Sequence, residues 1–452
     1  MKSLFGTDGI RGEAGKFPLD APTVNLIGAS LARYLKSVSS ESPLIIIGRD
    51  TRESGDWLES SLFEGASNAG ATCLSAGVIT TPGVAYLTRD LQADAGVVIS
   101  ASHNPFHDNG IKIFAQSGKK IPDEVERYIE AEIIANQQST AAVTSNALRE
   151  SFLTEDELRN RYLKFLCDNI GAGLNLSGIK IVVDCANGAS SALAPHLFET
   201  LGASVVAINA SPNGRNINLN CGSLHIESLQ SRVVAENANL GIAFDGDADR
   251  ALFVDEIGNI VDGDATLWVL TNQLLRQNRL KSNIVVATVM SNIGLEIALR
   301  SRGIELVRTD VGDKYVLEEL LKRDASLGGE QSGHIILSEV SLAGDGMITS
   351  LCLLRSIAES RQSLSELTAE LSHYPQVLIN VRVREKVDFE RLSTVQEAVA
   401  EVKERLSHNG RLILRYSGTE PLARVMIEGA DQHEIEKYAE EIAGRIRSEI
   451  GV

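Results

Sequence analysis

The chain has 452 residues, of which 43% are hydrophobic and 23% are charged, a composition that is ordinary for a globular protein. At about 150 residues per domain, this length predicts roughly three or four domains. The 60 acidic residues outnumber the 43 basic ones and give a formal net charge of −17. This charge argues against nucleic acid and an anionic membrane surface as partners, so a phosphate ligand must be held by local basic clusters.

Cysteine usage and hydropathy indicate the compartment. The five cysteines are scattered, and no pair has the Cys-x-x-Cys spacing, which favours small buried thiols in a reducing environment. No apolar run approaches the roughly 18 residues of a membrane span. The first residues, MKSLFGTDGIRG, lack the apolar stretch of a signal peptide. We therefore expect a cytoplasmic protein.

Three segments repeat one order of elements along the first three quarters of the chain. In each, an apolar strand, a helical stretch, a second strand and a third strand introduced by Ala-x-x-Gly follow one another. The first strands lie at 43–52, 178–190 and 282–294. The glycines that open the third strands are Gly96, Gly241 and Gly328. Such alternation predicts an internal repeat of α/β units with mainly parallel sheets.

The third strand of each repeat runs into a polar loop. These loops span 100–105, 245–250 and 330–334. Ligands of open α/β sheets bind beyond the carboxyl ends of the strands. We therefore expect the three loops to occupy equivalent positions in three domains and, if the domains face one cleft, to form a single active site.

The last quarter of the chain has a different pattern: an alternating strand, a helix, two strands around a turn and a final amphipathic helix. The predicted fold is therefore α/β, with three similar α/β domains of mixed, mainly parallel sheets and a smaller C-terminal α+β domain around a central cleft. The predicted domain bounds are 1–150, 151–252, 253–368 and 369–452.

The segment DGDADR places Asp245, Asp247 and Asp249 two residues apart. In an extended loop alternate side chains point to one side, so the three carboxylates converge, and a hard cation such as Mg²⁺ removes their repulsion. An EF-hand is disfavoured because Arg250 stands where that loop needs its invariant glycine. A solvated acidic turn is less favoured because it has no need of the apolar strand that precedes the segment.

Ser102 lies in SASHNP, at the end of the strand equivalent to the one that carries the aspartates. Out of context a Ser-His-Asn-Pro turn is more often structural. Its place in the repeat and the nearby Lys112 favour phosphoryl transfer, which depends on positioning and charge neutralisation.

Two further loops carry polar groups. The segment RYSGTEPLAR flanks a turn of small residues with two guanidiniums, an arrangement suited to binding an anion, and a surface hairpin turn is its structural alternative. Its candidate residues are Arg415, Ser417, Gly418, Thr419 and Arg424. The segment GGEQSGH offers carboxylate and short polar groups that suit a sugar's hydroxyls, together with a histidine that could carry a proton. Its candidates are Glu330, Ser332 and His334.

Residues near strand ends form a last group: Thr7 and Arg11 in FGTDGIRG, and Arg49 and Arg52 in GRDTR. Arginines at such positions are as often ion-paired structural residues as ligands of an anion. The sequence leaves both interpretations open.

These motifs, in this order and over essentially the whole chain, resemble those of the α-D-phosphohexomutase superfamily, and within it the branch that acts on glucosamine phosphates. The resemblance implies four domains around a cleft and a phosphorylated Ser102. It implies one Mg²⁺ ion held by that phosphoserine and by Asp245, Asp247 and Asp249. Ala248 departs from the glycine of many relatives but leaves the carboxylates in place, and Gln331 fits the glucosamine branch.

The resemblance also implies the roles of the remaining candidates. The sugar would be bound by Glu330, Ser332 and His334. The distal phosphate would be bound by Arg415, Ser417, Gly418, Thr419 and Arg424. The transfer would be assisted by Arg11, His103, Lys112 and Arg250, through charge stabilisation or proton movement. Which of them is the general acid or base stays open.

The implied reaction interconverts glucosamine 6-phosphate and glucosamine 1-phosphate, with glucosamine 1,6-bisphosphate as the intermediate, and supplies amino-sugar precursors of the cell wall. The alternatives are a mutase of glucose or mannose phosphates, a metal-assisted phosphatase and a sugar-phosphate binding protein. The expected partner is a small sugar phosphate. A homodimer is an option that the sequence does not decide.

Overall fold

The structure is a computed structural model. It describes residues 4–6, 8–38, 41–136, 152–407, 409–417 and 421–452. The chain forms two compact units. The first contains the described residues of 1–289 and 307–368, and the second contains those of 290–306 and 369–452.

The first sheet has six strands: β1 (Phe5–Gly6), β2 (Gly9–Glu13), β3 (Leu44–Arg49), β4 (Thr72–Val78), β5 (Ala95–Ile99) and β6 (Asp108–Ala115). They lie in the order β1-β2-β6-β5-β3-β4, with β4, β3 and β5 parallel and the others antiparallel. The helices are α1 (Ala21–Val38), α2 (Gly55–Asn68), α3 (Thr81–Asp90) and α4 (Asp123–Asn136). Helix α1 buries Val24, Ile27, Leu31 and Leu35, whose spacing gives one apolar face.

The second sheet contains β7 (Lys180–Asp184), β8 (Ser204–Ile208), β9 (Leu240–Phe244), β10 (Ala251–Asp255) and β11 (Ile260–Val261). Their order is β11-β10-β9-β7-β8. The helices of this region are α5 (Glu155–Phe165), α6 (Leu193–Thr200) and α7 (Glu227–Ala235). Helix α5 begins at a reciprocal cap between Thr154 and Glu157, which satisfies its first backbone N–H groups.

The third sheet contains β12 (Ile284–Thr288), β13 (Glu305–Thr309), β14 (Leu327–Gly329) and β15 (Ile335–Leu337), in the order β13-β12-β14-β15. The helices of this region are α8 (Gly263–Arg276), α9 (Ile293–Ser301), α10 (Asp313–Arg323), α11 (Gly346–Ser360) and α12 (Leu364–Thr368).

One strand pattern recurs in the three sheets. The first strand of each repeat lies between the second and the third, and an antiparallel strand follows the third, as in β4-β3-β5-β6, β8-β7-β9-β10 and β13-β12-β14-β15. The third strands β5, β9 and β14 are buried throughout, as expected for strands covered on both faces. The predicted α/β class with three similar domains is confirmed.

The second unit is built around an antiparallel sheet of β16 (Gln376–Arg382), β17 (Arg411–Tyr416) and β18 (Leu422–Glu428), in the order β16-β18-β17. Helices α13 (Ser393–Leu406) and α14 (Gln432–Ile450) complete the predicted α+β domain. Its core includes Ala423, Val425 and Ile427, which alternate along β18 and so share one face of the sheet.

Helix α9 belongs to this second unit. Asn292, which caps the helix, donates a hydrogen bond to the Tyr374 carbonyl (2.9 Å) and accepts one from the Tyr374 N–H (3.0 Å). A Cβ atom at Gly294 would lie 1.9 Å from the Ser372 carbonyl oxygen, so only glycine permits this packing. Among the described residues, no helix has the length and hydropathy needed to cross a membrane.

Candidate active site

Three loops that follow β5, β9 and β14 converge within the first unit. The Oγ atom of Ser102, after β5, lies 2.5 Å from Oδ2 of Asp245, after β9. Nδ1 of His334, after β14, lies 3.8 Å from Oδ1 of Asp249. The structure therefore brings together the three loops that the repeat placed at equivalent strand ends.

Ser102 is held in a strained backbone conformation. Its φ angle is 52°, in the left-handed region that residues other than glycine seldom adopt. The Ser102 N–H donates to Oγ of Ser100 (2.9 Å), which donates in turn to Asp50 (2.6 Å). Such conformations persist only where the surroundings impose them, and they cluster at functional sites.

The guanidinium of Arg52 imposes this loop conformation. The side chain is fully buried, and its Nε donates to Oδ2 of Asp50 at 2.9 Å. Its terminal nitrogens donate to the backbone carbonyls of Ser102, Asn104, Pro105 and Asp108. Arg52 is therefore an ion-paired structural residue, the first of the two interpretations that the sequence left open.

We expect Arg52→Met to lower the free energy of unfolding by about 3–5 kcal/mol, because it leaves the Asp50 charge buried without its cation and removes the hydrogen bonds from Arg52 to the loop carbonyls. Denaturant unfolding at constant pH measures the loss. The control is Arg33→Met, which removes an exposed pair with Glu132 and should cost about 1 kcal/mol or less. Equal stability of the two variants would contradict the role given to Arg52.

The carboxylates of Asp245, Asp247 and Asp249 form a buried cluster whose ligand atoms lie within 4.8 Å of one another. Asp245 accepts from Ser102 Oγ and from the Arg250 N–H (3.2 Å). A Cβ atom at position 246 would lie 2.5 Å from the Ser102 carbonyl oxygen, so Gly246 is what lets the two loops approach this closely.

The cluster retains unused acceptors. Lys112 donates to Oδ2 of Asp247 (2.9 Å) and of Asp249 (3.2 Å), and Thr81 donates to the same oxygen of Asp247 (2.5 Å). The other carboxylate oxygens of Asp247 and Asp249 are buried and have no hydrogen-bond partner in the described part of the chain. Carboxylate oxygens are the ligands that Mg²⁺ prefers, and buried ones without a hydrogen-bond donor can accept it, so these residues fit the ion that the sequence implied.

The electrostatics of the cluster differ from one carboxyl to the next. Burial and the nearby charges of Asp249 and Asp247 raise the pKa of Asp245 well above its usual range. Burial also acts to raise the pKa of Asp249, but Lys112, His334 and Arg250 together outweigh it and lower that pKa. A bound divalent cation would favour the ionised form of all three groups.

A closed ring of alternating acidic and basic side chains includes Asp249 of this cluster. Its six members, which we call the charge ring, are Asp8, Lys112, Asp249, His334, Asp313 and Lys120. The closest contacts are those of Lys120 Nζ, 2.7 Å from Oδ1 of Asp8 and 2.7 Å from Oδ2 of Asp313. Sequence reasoning missed Asp8, Lys120 and Asp313, although Asp8 lies in the FGTDGIRG motif.

A cavity of about 560 Å³ opens beside the ring. Its lining includes four basic or imidazole side chains and four carboxylates: Arg11, His103, Arg250 and His334, and Asp8, Asp249, Asp313 and Glu330. The buried Nε atoms of Arg11 and Arg250 have no hydrogen-bond partner among the residues that the structure describes. Burial lowers the pKa of His103, and the positive charges of Arg250 and Arg11 lower it further. The guanidinium groups of Arg11 and Arg250 therefore suit an anionic ligand such as a phosphoryl group.

The GGEQSGH loop contributes Glu330 and His334 to the cavity wall. Glu330 accepts a hydrogen bond from the Gly312 N–H (3.1 Å), and the buried Ser332 hydroxyl has no partner within the described ranges. Gln331 instead donates to Asp262 (3.1 Å), the residue that caps α8.

A second basic cluster lies in the second unit. Arg415 and Arg424 stand directly opposite each other on β17 and β18, where like charges are destabilising unless an anion is present. Arg424 lies 3.4 Å from the Ser417 hydroxyl, and Lys386 donates to the Ser417 carbonyl (2.6 Å). Sequence reasoning missed Lys386. The candidates Gly418 and Thr419, like Thr7, lie outside the described residues.

Comparison with known families gives this fold and site a class. Models for the four domains described as phosphoglucomutase/phosphomannomutase match residues 2–140 (α/β/α domain I), 160–258 (α/β/α domain II), 262–374 (α/β/α domain III) and 378–445 (C-terminal domain). The chain belongs to the phosphoglucomutase/phosphomannomutase family, and the resemblance seen in the motifs is confirmed.

Curated relatives show which members of the family the chain is similar to. The chain is 50% identical over 450 residues to a phosphoglucosamine mutase of Solibacter usitatus and 47% identical over 452 residues to one of Geobacter sp. strain M21, covering all of this chain and 99% of each relative. A family member from Burkholderia thailandensis has the same fold, with a TM-score of 0.80, 22% identity and full coverage of both chains. So has the Aspergillus fumigatus N-acetylphosphoglucosamine mutase in complex with GlcNAc-6P and magnesium, with a TM-score of 0.63, 21% identity and coverage of 95% and 86%.

Proposed function

We propose that this protein is an isomerase that interconverts glucosamine 6-phosphate and glucosamine 1-phosphate through a phosphorylated Ser102. The observation that carries the proposal is the Ser102 hydroxyl, 2.5 Å from a buried three-carboxylate cluster. Relatives called phosphoglucosamine mutase, about half identical over the whole chain, support the choice of sugar.

Each group near Ser102 has a distinct part in the proposed transfer. Asp245, Asp247 and Asp249 hold one Mg²⁺ ion, which supplies positive charge to the phosphoryl oxygens. Arg11 and Arg250 bind the phosphoryl group from the cavity side through charge-assisted hydrogen bonds. Lys112, placed among Asp8, Asp247 and Asp249, holds those carboxylates in position.

Proton movement falls to groups beside the serine. Nδ1 of His103 lies 3.4 Å from Ser102 Oγ, and its lowered pKa favours the neutral ring, which can accept a proton. His334 is buried beside Asp249 and is the second proposed proton carrier of the site.

Substrate binding uses the two remaining clusters. Glu330, Ser332 and His334 bind the sugar through carboxylate, hydroxyl and imidazole groups. The basic cluster of the second unit binds a phosphate group of the substrate. Its proposed members are Arg415, Ser417, Arg424 and Lys386, with Gly418 and Thr419. Glucosamine 1,6-bisphosphate is the proposed intermediate, since both sugar positions exchange a phosphoryl group with one serine. The cytoplasmic location, the homodimer and the predicted domain bounds remain predictions.

We expect kcat/KM for glucosamine phosphate to exceed the values for glucose and mannose phosphates at least about tenfold, which is roughly 1.4 kcal/mol of transition-state discrimination. The measurement is mutase activity of the purified protein with Mg²⁺ on the three sugars. Comparable values would make it a broad-specificity sugar-phosphate mutase. Release of inorganic phosphate without isomerisation would contradict the mutase and indicate a phosphatase.

A further inference from the structure

We propose that Lys120 is a positioning residue for phosphoryl transfer, which fixes Asp8 and, through Asp8, the basic groups of Arg11 and Lys112. This inference rests on the proposed function. Lys120 follows β6 and reaches neither Ser102 nor the aspartate cluster: within the described residues its ion-pair partners are Asp8 and Asp313. Its role is therefore indirect, and the contacts within the charge ring support it.

The two oxygens of the Asp8 carboxylate contact different members of the ring. Its Oδ1 atom accepts from Lys120 at 2.7 Å, whereas its Oδ2 atom faces Lys112 at 3.1 Å and the Arg11 guanidinium. Burial acts to raise the pKa of Asp8, but Lys112 and Lys120 outweigh it and hold that pKa far below its usual range. Asp8 is thus a permanent anion whose orientation depends on having a cation at each oxygen.

Loss of Lys120 would free Oδ1 of Asp8. The carboxylate could then turn and bind Arg11 through both oxygens, which is the preferred geometry for a guanidinium and a carboxylate. That rotation draws Arg11 from the cavity and withdraws Oδ2 from Lys112, which also holds Asp247 and Asp249. Displacements of about 1 Å at a site of this kind can cost on the order of 100-fold in rate.

A second ion pair also joins the segment after β6 to the start of α10. It makes it possible to distinguish a positioning role of Lys120 from a role in holding these two segments together. Lys314, one residue after Asp313, pairs at 2.7 Å with Asp123, three residues after Lys120. This pair is more exposed, with 41% and 59% of its side chains accessible, against 24% and 22% for Lys120 and Asp313. It has no contact with Asp8 among the ion pairs of the described residues. Exposed pairs contribute little to stability.

The test compares Lys120→Met and Lys120→Arg with two matched controls, Lys314→Met and Lys119→Met, in the full-length enzyme. We expect K120M to lower kcat about 10- to 100-fold with KM changed less than about threefold, because groups that act on the transition state are displaced. K120R, which keeps a cation between Asp8 and Asp313, should recover most of kcat. K314M and K119M should stay within about twofold of wild type, because neither residue belongs to the charge ring and the Lys314 pair is exposed.

A double-mutant cycle with Asp8→Asn identifies the route. If Lys120 acts through Asp8, adding K120M to D8N should lower kcat by much less than K120M does alone. An unchanged kcat in K120M, an equal loss in K314M, or full additivity with D8N would each overturn the inference. The rate of phosphoryl loss from phospho-Ser102, followed by mass spectrometry, gives a second readout. If the wild type isomerises no sugar phosphate, the proposed function fails, and this rate still decides whether Lys120 positions the site.

Discussion

Ser102→Ala is expected to reduce mutase turnover on the order of 10³-fold or more, because the hydroxyl that carries the phosphoryl group between the two transfers is gone. The assay follows conversion of glucosamine 6-phosphate by purified enzyme with Mg²⁺, together with the phosphate content of the protein. Ser228→Ala, on the exposed face of α7, is the control and should leave both unchanged. Near-normal turnover in S102A would refute the phosphoserine.

The backbone at Ser102 supplies a further comparison that does not depend on activity. Because φ is 52°, alanine keeps the strain of the left-handed region, whereas glycine adopts that region freely. S102G should therefore be inactive like S102A. Its free energy of unfolding should equal that of S102A or exceed it by up to about 1–2 kcal/mol. A less stable S102G would mean that the loop leaves this conformation in solution.

Asp245→Asn is expected to abolish most of the stabilisation that Mg²⁺ gives to the fold. An ion present at about 100 times its dissociation constant stabilises the native state by about 2.7 kcal/mol, and the variant loses one of the three carboxylate ligands. Thermal unfolding with and without Mg²⁺ measures the difference. Asp168→Asn, at an exposed position, should keep the full Mg²⁺ shift. An equal shift in D245N and wild type would exclude Asp245 as a ligand.

Without Mg²⁺, the same substitution should affect the stability of the fold in the opposite direction. Folding raises the pKa of Asp245, so ionisation of this group destabilises the metal-free fold as pH rises through the folded-state pKa. A neutral asparagine at this position removes that cost. Metal-free D245N should therefore be no less stable than wild type at neutral pH, and a large loss of stability would contradict the raised pKa.

Much of the site could be predicted because it depends on local pattern. The spacing of Asp245, Asp247 and Asp249 and their place after a buried strand are visible in the sequence, and the repeat relates that strand to the one before Ser102. Strand ends at equivalent positions must lie at the same edge of equivalent sheets, so the equivalent placement of these loops follows from topology, whereas their meeting also requires the domains to face one cleft. The family resemblance added roles for residues whose local signal is weak, such as Ser332.

The parts that could not be predicted depend on tertiary register. Arg52 binds carbonyls of a loop some 50 residues away, and Lys120 pairs with Asp313 across 193 residues, yet nothing adjacent to either residue indicates its partner. The same holds for α9, whose apolar positions would suit any core. Gln331 fits a sugar-reading loop by its place in the sequence, but its amide is bound to Asp262.

The composition of the second unit from two separate stretches of chain limits how the protein can be shortened. A stop codon after residue 368 would remove β16, β17, β18 and both long helices, yet it would keep 290–306. Residues 290–306 would then lose their contacts with the removed stretch, including the Tyr374 backbone that binds Asn292 and the Ser372 carbonyl that packs against Gly294. A shortened gene would therefore encode a fragment in which the start of α9 has lost its packing partners, rather than three intact domains. Selection for a loss of the C-terminal region would have to act on two places in the gene at once.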